Sequence, residues 1–175
     1  MNFLKNYSDE INALLKTQGI IFKKVTYLIK NHSAKNKIII CGNGGSSSIA
    51  SHIATDMTKI LNKKTLTFAD DNLITCYAND YGYENWILEL MKVNLESKDL
   101  VILISSSGMS KNIINAAKFI KSNKNKLITL TGFSKNNKLK KYGDVNVWVD
   151  SKKYNIVEMV HHIFLVAIID SLTFE

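Results

Sequence analysis

Apolar residues recur at two different spacings along this chain, and the change from one spacing to the other indicates the class of fold. Over residues 8–31 the apolar positions lie three or four residues apart, which is the spacing of an amphipathic helix. Further along, short runs made almost entirely of apolar residues alternate with more helical stretches. Such runs are typical of parallel strands that are covered on both faces. The pattern therefore predicts an α/β protein.

The pattern also places the individual elements. After a helical N-terminal segment, strands are expected at residues 37–41, 65–68, 100–104, 127–131 and 145–149, and helices at 47–61, 71–79, 84–94, 112–121 and 156–172. Neither an internal repeat nor a linker interrupts this order. We predict a single domain over residues 1–175, with an N-terminal helical segment at 1–33 and an α/β core at 35–172.

Composition and charge exclude several classes of protein. The net charge is +8, but all 23 basic residues are lysines. Recognition of bases and phosphates favours arginine, whose guanidinium group donates two parallel hydrogen bonds. The lysines of this chain are also scattered among asparagines rather than clustered. A solvated basic surface is thus a better interpretation than a nucleic-acid site, and we expect no nucleic-acid partner.

Membrane and export signals are not expected either. Apolar runs such as 163–169 are short for a bilayer span, and the first residues lack the layout of a signal peptide. The two cysteines, Cys41 and Cys76, form no CxxC pair, so we expect two reduced thiols in the core. These features favour a cytoplasmic protein.

The first candidate for chemistry is the turn that follows the first predicted strand. Gly42, Asn43, Gly44 and Gly45 are followed by Ser46 and a helix. Glycines let the backbone approach a ligand, and the helix start offers free N–H groups to an anion. The turn is neither a dinucleotide-binding fingerprint nor a P-loop. A plain strand-to-helix turn is the alternative.

The second candidate follows the strand at 100–104. Four serines surround a glycine at the start of a helix: Ser105, Ser106, Ser107 and Ser110. Hydroxyls and helix amides together can hold a phosphate monoester without arginine. A helix-capping cluster is the alternative here. Two such turns in one short chain favour a phosphate site.

Taken in order, several motifs resemble the phosphoheptose isomerase branch of the SIS (sugar isomerase) family. They are the glycine turn at 42–46, His52 with Asp56, the segment 78–82, the serine turn at 104–112 and residues 130–132. The resemblance implies a five-stranded parallel sheet flanked by helices, with the N-terminal helix packing in a homotetramer. It also implies a phosphate held by the four serines and a sugar contacted by Asn43, Gly44, Ser46 and Asp80.

His52 and Asp56 are spaced four residues apart, so both side chains lie on one face of the predicted helix. The family has a histidine and a glutamate at these positions, and the glutamate moves a proton between C1 and C2 of the sugar. Some members bind zinc there. Asp56 keeps the carboxylate but is one methylene shorter.

The final helix departs from the family pattern. Val157 and Leu165 stand where relatives have a glutamine and a histidine, while His161 lies four residues from each. Our hypothesis is that Asp56 and His161 exchange the proton. His52 and Glu158 would then support them, or the set His52, Asp56, Glu158 and His161 would bind zinc. A repacked helix without catalysis is the alternative.

The sequence therefore favours an aldose–ketose isomerase that acts on a sugar phosphate, with sedoheptulose 7-phosphate as the leading substrate. The resemblance implies an active site that is formed across a subunit interface. It also implies that the product is used to make a surface polysaccharide, either lipopolysaccharide or capsule. The competing class is a non-catalytic SIS module that binds a sugar phosphate or a protein partner.

Overall fold

Helices and strands alternate through most of the chain. The computed structural model describes residues 2–174, which form seven α-helices, five β-strands and a short 3-10 helix. The helices are α1 (Phe3–Lys16), α2 (Gly19–Lys30), α3 (Gly45–Lys59), α4 (Asp71–Tyr81), α5 (Trp86–Asn94), α6 (Lys111–Ser122) and α7 (Tyr154–Thr173). The strands are β1 (Ile38–Cys41), β2 (Thr65–Thr67), β3 (Leu100–Ser105), β4 (Lys126–Thr131) and β5 (Val145–Trp148), with the 3-10 helix at Leu139–Lys141. The predicted α/β class is confirmed.

The strands form one parallel sheet in the order β2-β1-β3-β4-β5. After β1 the chain goes to β2 on one side, and β3 then pairs with β1 on the other side. Open parallel sheets bind ligands at the carboxyl ends of the strands where the order reverses in this way. Both candidate turns follow strands at that reversal, since one leaves β1 and the other leaves β3. The predicted five-stranded parallel sheet is confirmed.

The sheet is covered on both faces, as its apolar strands require. Ile38 and Ile40 of β1 pack into a core cluster with residues of α3 and α7. Ile39 and Cys41 point to the other face, into a cluster with residues of α5 and α6. This alternation follows from the pleat of the strand, which sends successive side chains to opposite faces.

The N-terminal segment contains two helices rather than the one we predicted. The first ends near Thr17, whose hydroxyl donates to the Leu14 carbonyl at 2.6 Å. Gln18 then precedes α2 and donates its side-chain amide to the Trp148 carbonyl at 3.1 Å. The helix is interrupted here, where the buried Gln18 side chain bonds to the end of β5 instead of facing solvent.

Helix α7 is apolar on nearly all sides. Within the described residues it is the one helix whose length and composition would suit a membrane span. It packs on the sheet beside α1, α2 and α3, and eight of its side chains are buried. Val157 and Leu165 are both fully buried, so these two positions serve packing in this chain.

The expectation of two core thiols is only half right. Cys41 is buried in β1, and this burial raises the pKa of its thiol to about 12. Cys76 is exposed on α4, within 3.8 Å of an Asp80 carboxylate oxygen. The pattern failed at Cys76 because α4 has one side open to solvent.

Asp99 stabilises the edge of the sheet opposite the two turns. Its fully buried carboxylate accepts from the backbone N–H groups of Lys37 and Glu96 at 2.8 and 2.9 Å and pairs with the Lys37 ammonium at 3.2 Å. Replacing a member of a buried ion pair leaves the remaining donors without partners. We expect Asp99→Ala to lower the free energy of unfolding by about 3 kcal/mol, measured by urea denaturation.

Glu96→Gln is the matched control for that variant. Glu96 pairs with the same lysine at 3.0 Å, but 73% of its side chain is exposed. An exposed ion pair contributes roughly 0.5 kcal/mol, so the control should unfold almost like the wild type. Equal losses in the two variants would contradict this role for Asp99.

Candidate functional site

A cavity of about 130 Å³ opens between the two turns at the carboxyl edge of the sheet. Its lining consists of Asn43, Ser46, Ile104, Ser105, Ser106, Ser107, Ser110, Tyr154 and Glu158. We call these residues the serine cradle. All but Ile104 carry a hydroxyl, amide or carboxylate group, so the cradle suits a small polar ligand. The structure thus brings together the four serines, Asn43 and Ser46, which the sequence placed in two separate motifs.

The glycine turn is shaped by contacts that leave no room for a side chain. A Cβ atom on Gly42 would lie 2.6 Å from the backbone of Ser46, and one on Gly45 would overlap the Glu158 carboxylate. Gly44 has a φ of 51°, which favours glycine. The turn therefore delivers the chain directly into the first turn of α3, where backbone N–H groups lack helical partners and can face an anion. Gly44 shapes this turn but does not line the cavity.

The serine turn places several hydroxyls around the same space. Ser105 and Ser110 lie with their Oγ atoms 3.3 Å apart, and Ser107 Oγ accepts the N–H of Met109 at 3.2 Å. Ser106 Oγ is buried without a hydrogen-bond partner among residues 2–174. A buried hydroxyl without a partner is costly, so a ligand that bonds to it would offset that cost.

Helix capping does not explain the serines. Ser110 is the residue before α6, but its side chain makes no capping bond to that helix in the described chain. Among the first N–H groups of α6, that of Ile113 is bonded to Asn112 Oδ1 at 3.0 Å, and none of them bonds to a Ser110 hydroxyl in the described chain. This observation favours the ligand interpretation over the capping alternative.

A pair of asparagines holds the two turns together. Asn43 donates its side-chain amide to Asn112 Oδ1 at 3.0 Å, and Asn112 donates back to Asn43 Oδ1 at 2.8 Å. The Tyr83 hydroxyl adds a third bond to Asn43 Oδ1 at 3.3 Å. These contacts hold the Asn43 side chain, which is part of the cradle lining, in one orientation. We did not predict roles for Asn112 or Tyr83, because contacts 69 and 40 residues apart leave no local signal.

Asp80 lies outside the cradle. It is exposed on α4 and accepts a hydrogen bond from its neighbour Asn79 at 2.9 Å. Tyr83, which follows the segment 78–82 directly, contacts the site instead through its bond to Asn43. The predicted sugar contact of Asp80 is therefore not part of the cavity in this chain.

Helix α7 contributes Tyr154 and Glu158 to the cradle. Glu158 lies against Gly45. Within residues 2–174 it is the one acidic side chain that lines this cavity. Tyr154 packs against Phe133, with ring centroids 4.7 Å apart, and forms part of the rim. Glu158 thus faces the cavity rather than the face of α3 that carries His52.

His52 and Asp56 lie together on α3, as their spacing predicts. His52 Nε2 lies 3.2 Å from Asp56 Oδ2, and His52 Nδ1 lies 2.7 Å from Nε2 of His162 on α7. We call these three residues the histidine cluster. Partial burial lowers the pKa of His162, the charge of His52 lowers it further, and Asp56 opposes the shift. We did not predict the contact with His162.

His161, which we predicted to be catalytic, is placed elsewhere. Its side chain is fully buried, and Nε2 lies 3.2 Å from the Thr131 carbonyl at the end of β4. Its Nδ1 atom has no hydrogen-bond partner within the described chain. Burial lowers the pKa of His161 to about 4, and the bond to Thr131 opposes this shift. His161 faces the core because it shares a helix face with Val157 and Leu165, so its predicted catalytic position is wrong for this chain.

The predicted metal set is not assembled either. Glu158 faces the cradle, His161 faces the core, and only His52 and Asp56 are neighbours. Across residues 2–174, no three or more His, Cys, Asp or Glu side chains are arranged to hold a metal ion. His162 does not complete a set, because it and Asp56 lie at opposite nitrogens of the His52 ring. These residues do not fit a zinc ion.

Much of the chain matches a known protein family. Residues 2–132 match the family model described as the SIS domain. The phosphoheptose isomerase of Helicobacter pylori strain P12 is 31% identical over 97% of this chain and 91% of its own length. The chain belongs to the SIS-domain family, and within that family to the phosphoheptose isomerases.

Solved structures agree in fold. The phosphoheptose isomerase of Neisseria gonorrhoeae superimposes with a TM-score of 0.88 over 97% of this chain and 94% of that one, at 23% identity. A phosphoheptose isomerase from Francisella tularensis gives a TM-score of 0.87 over 99% of this chain and 95% of that one, at 21% identity. At these identities the likeness establishes the architecture, while the sequence relatives establish the family.

The asparagine pair should contribute to stability. In Asn112→Ala, the part-buried Asn43 side chain loses both of its hydrogen bonds to Asn112 and keeps the one from the Tyr83 hydroxyl. We expect the free energy of unfolding to fall by about 1.5 kcal/mol in urea denaturation. Asn115→Ala is the matched control, because Asn115 lies on the same helix and bonds to Glu84 and Asn85 at the surface. A loss in the control as large as in Asn112→Ala would contradict the role of the pair.

Buried His161 should make the fold sensitive to acid. Its pKa is about 4 in the folded chain against 6.5 in the unfolded chain, so between these values the unfolded chain binds more protons. Stability should thus fall as the pH drops from 6.5 toward 4, by on the order of 3 kcal/mol from this group. His161→Gln keeps a donor for Thr131 but does not titrate, so its unfolding free energy should fall less over this range. Identical pH dependence in both proteins would contradict the assignment.

Proposed function

We propose that this protein interconverts a ketose phosphate and an aldose phosphate, with sedoheptulose 7-phosphate as the ketose. The observation that carries the proposal is the serine cradle, in which a buried Ser106 hydroxyl without a partner in the described chain lies near the start of two helices. Membership of the phosphoheptose isomerases supports the reaction and the substrate class. The product would enter lipopolysaccharide or capsule synthesis in the cytoplasm.

The phosphate group would be held by Ser105, Ser106, Ser107 and Ser110. Hydroxyls and free amide groups donate to phosphate oxygens, and the positive ends of α3 and α6 favour its negative charge. Asn43 and Ser46 would contact the sugar. A cradle built on hydroxyls and amides needs no arginine, which agrees with a chain whose basic residues are all lysine.

Isomerisation would proceed through an enediol. A base takes a proton from C1 of the ketose, the electron pair of that C–H bond forms the C1–C2 double bond, and the carbonyl oxygen at C2 takes up a proton. The base then returns a proton to C2 of the enediol, while the hydroxyl on C1 loses its proton and becomes the aldehyde of the aldose. The base must have a pKa close to neutral pH, or it must be held close to the carbon that loses the proton.

Asp56 is the proposed proton carrier, and His52 holds its carboxylate through the 3.2 Å contact. Asp56 follows Ser46 by ten residues, which is about 15 Å along α3. Asp56 would therefore act on a sugar bound partly by a neighbouring subunit. Glu158 is the second candidate, because its carboxylate already lies in the cradle.

A homotetramer would provide that neighbouring subunit. Large apolar side chains are exposed on the N-terminal helices, including Phe3, Leu4, Ile20 and Tyr27. Exposed apolar surface of this kind is typical of a protein–protein interface. Self-association through α1 and α2 would cover these side chains.

A non-catalytic sugar-phosphate-binding module is less favoured. The changed face of α7 argued for it in the sequence, but the carboxylates of Asp56 and Glu158 remain available for proton transfer. The relatives that span nearly the whole chain are isomerases by name. Catalysis is therefore the function to test first.

The test is turnover of sedoheptulose 7-phosphate in D₂O, followed by mass spectrometry and by incorporation of solvent deuterium at C2. We expect turnover by the wild type and a loss in kcat of about 100-fold or more in Asp56→Asn. Glu158→Gln should keep most of its deuterium exchange if Asp56 carries the proton, and should lose it if Glu158 does. Asp71→Asn, an exposed carboxylate at the start of α4, is the matched control.

The opposite result has a clear meaning. If the wild type shows no turnover and no deuterium exchange with any ketose or aldose phosphate, the isomerase proposal is wrong. Binding of the same sugar phosphate in that case would leave the non-catalytic module as the function.

A further inference from the structure

Both ring nitrogens of His52 have partners, and the two partners come from different helices. Nε2 faces Asp56 on the same helix at 3.2 Å, and Nδ1 faces His162 Nε2 on α7 at 2.7 Å. The two imidazole rings meet edge to face, with an interplanar angle of 89°. His162 is therefore aimed at the His52 nitrogen rather than stacked on its ring.

These contacts select one arrangement of protons when both rings are neutral. A neutral imidazole has one N–H and one bare nitrogen. A carboxylate accepts hydrogen bonds, so the His52 proton belongs on Nε2, facing Asp56. His52 Nδ1 is then bare and accepts, which requires His162 to carry its proton on Nε2. His162 thus determines the orientation and tautomer of His52.

His162 also supplies the polar contact from α7 to this face of α3. Val157 and Leu165 are buried in the core, and Glu158 faces the cradle. His162 follows Glu158 by one turn and is only partly buried. No role had been predicted for it, and the neighbouring His161 faces the core.

We propose that His162 is a positioning residue of the isomerase: by donating to His52 Nδ1 it holds His52 Nε2–H on Asp56 and so orients the Asp56 carboxylate. This inference rests on the proposed function, in which Asp56 carries the proton. Holding the carboxylate matters because a small displacement of a catalytic group lowers the rate strongly. Packing is a weaker explanation, since half of the His52 side chain is exposed and exposed polar pairs add little stability.

Two variants of His162 test the proposal. His162→Phe keeps an aromatic ring against His52 but removes the donor, whereas His162→Gln keeps an N–H group at a similar distance from the backbone. We expect kcat for sedoheptulose 7-phosphate to fall by up to roughly 100-fold in His162→Phe, with little change in KM because the cradle is untouched. His162→Gln should recover part of the loss. His32→Gln is the control for removing a histidine, because His32 bonds through its ring to the Lys37 carbonyl, away from this cluster.

A second measurement does not depend on activity. ¹⁵N NMR of histidine-labelled protein at alkaline pH reports which nitrogen of His52 carries the proton. The wild type should show a protonated Nε2 and a hydrogen-bonded bare Nδ1. The Nδ1 resonance should shift in His162→Phe and move back toward the wild-type position in His162→Gln.

The outcomes separate this inference from the proposed function. An inactive wild type would overturn the proposed function, whatever the NMR shows. An unchanged His52 spectrum in His162→Phe would overturn the contact. With an active wild type, an unchanged kcat in His162→Phe, or a loss that His162→Gln does not reduce, would overturn the positioning role. Thermal unfolding of both variants checks that the rate loss occurs in folded protein.

Discussion

The pairing of β1 with β3 is the constraint on which the site depends. Four residues of each strand lie in parallel register, from Ile38 opposite Leu100 to Cys41 opposite Leu103. Parallel register sends both chains out at the same edge of the sheet. The glycine turn and the serine turn therefore emerge side by side, although they lie far apart in sequence. Each turn then begins a helix, so two helix starts and the serine hydroxyls meet in one cavity.

The cradle combines the proposed anion site with a carboxylate, and these two features have opposite electrostatic effects. Helix starts and hydroxyls would favour a bound phosphate, whereas Glu158 would repel it at close range. The arrangement is useful if the phosphate occupies the serine side and the neutral sugar hydroxyls face Glu158. The asparagine pair joins the glycine turn, against which Glu158 packs, to the helix that follows the serine turn. Orientation of the sugar would then follow from charge as much as from shape.

Local pattern predicted the fold well, because strand burial and helical spacing are properties of neighbouring residues. The positions of the two turns were also predictable, since glycines and serines at the end of a buried strand mark a turn into the next helix. Long-range contacts were not predictable. Asn112 reaches Asn43 only because β1 and β3 are adjacent, and a single asparagine in a helix carries no sign of that. Cys76 shows the same limit, because its exposure depends on which side of α4 remains uncovered.

The error at His161 shows how a helix face can be assigned correctly and still be interpreted wrongly. His161 does share a face with Val157 and Leu165, as its four-residue spacing requires. That face turns toward the sheet and carries the apolar Val157 and Leu165, so the histidine is buried with them. His162 is one residue further and about 100° around the helix. It therefore leaves the core and meets His52 on α3. A change of one position along α7 thus separates a histidine that packs from a histidine that contacts the candidate catalytic pair.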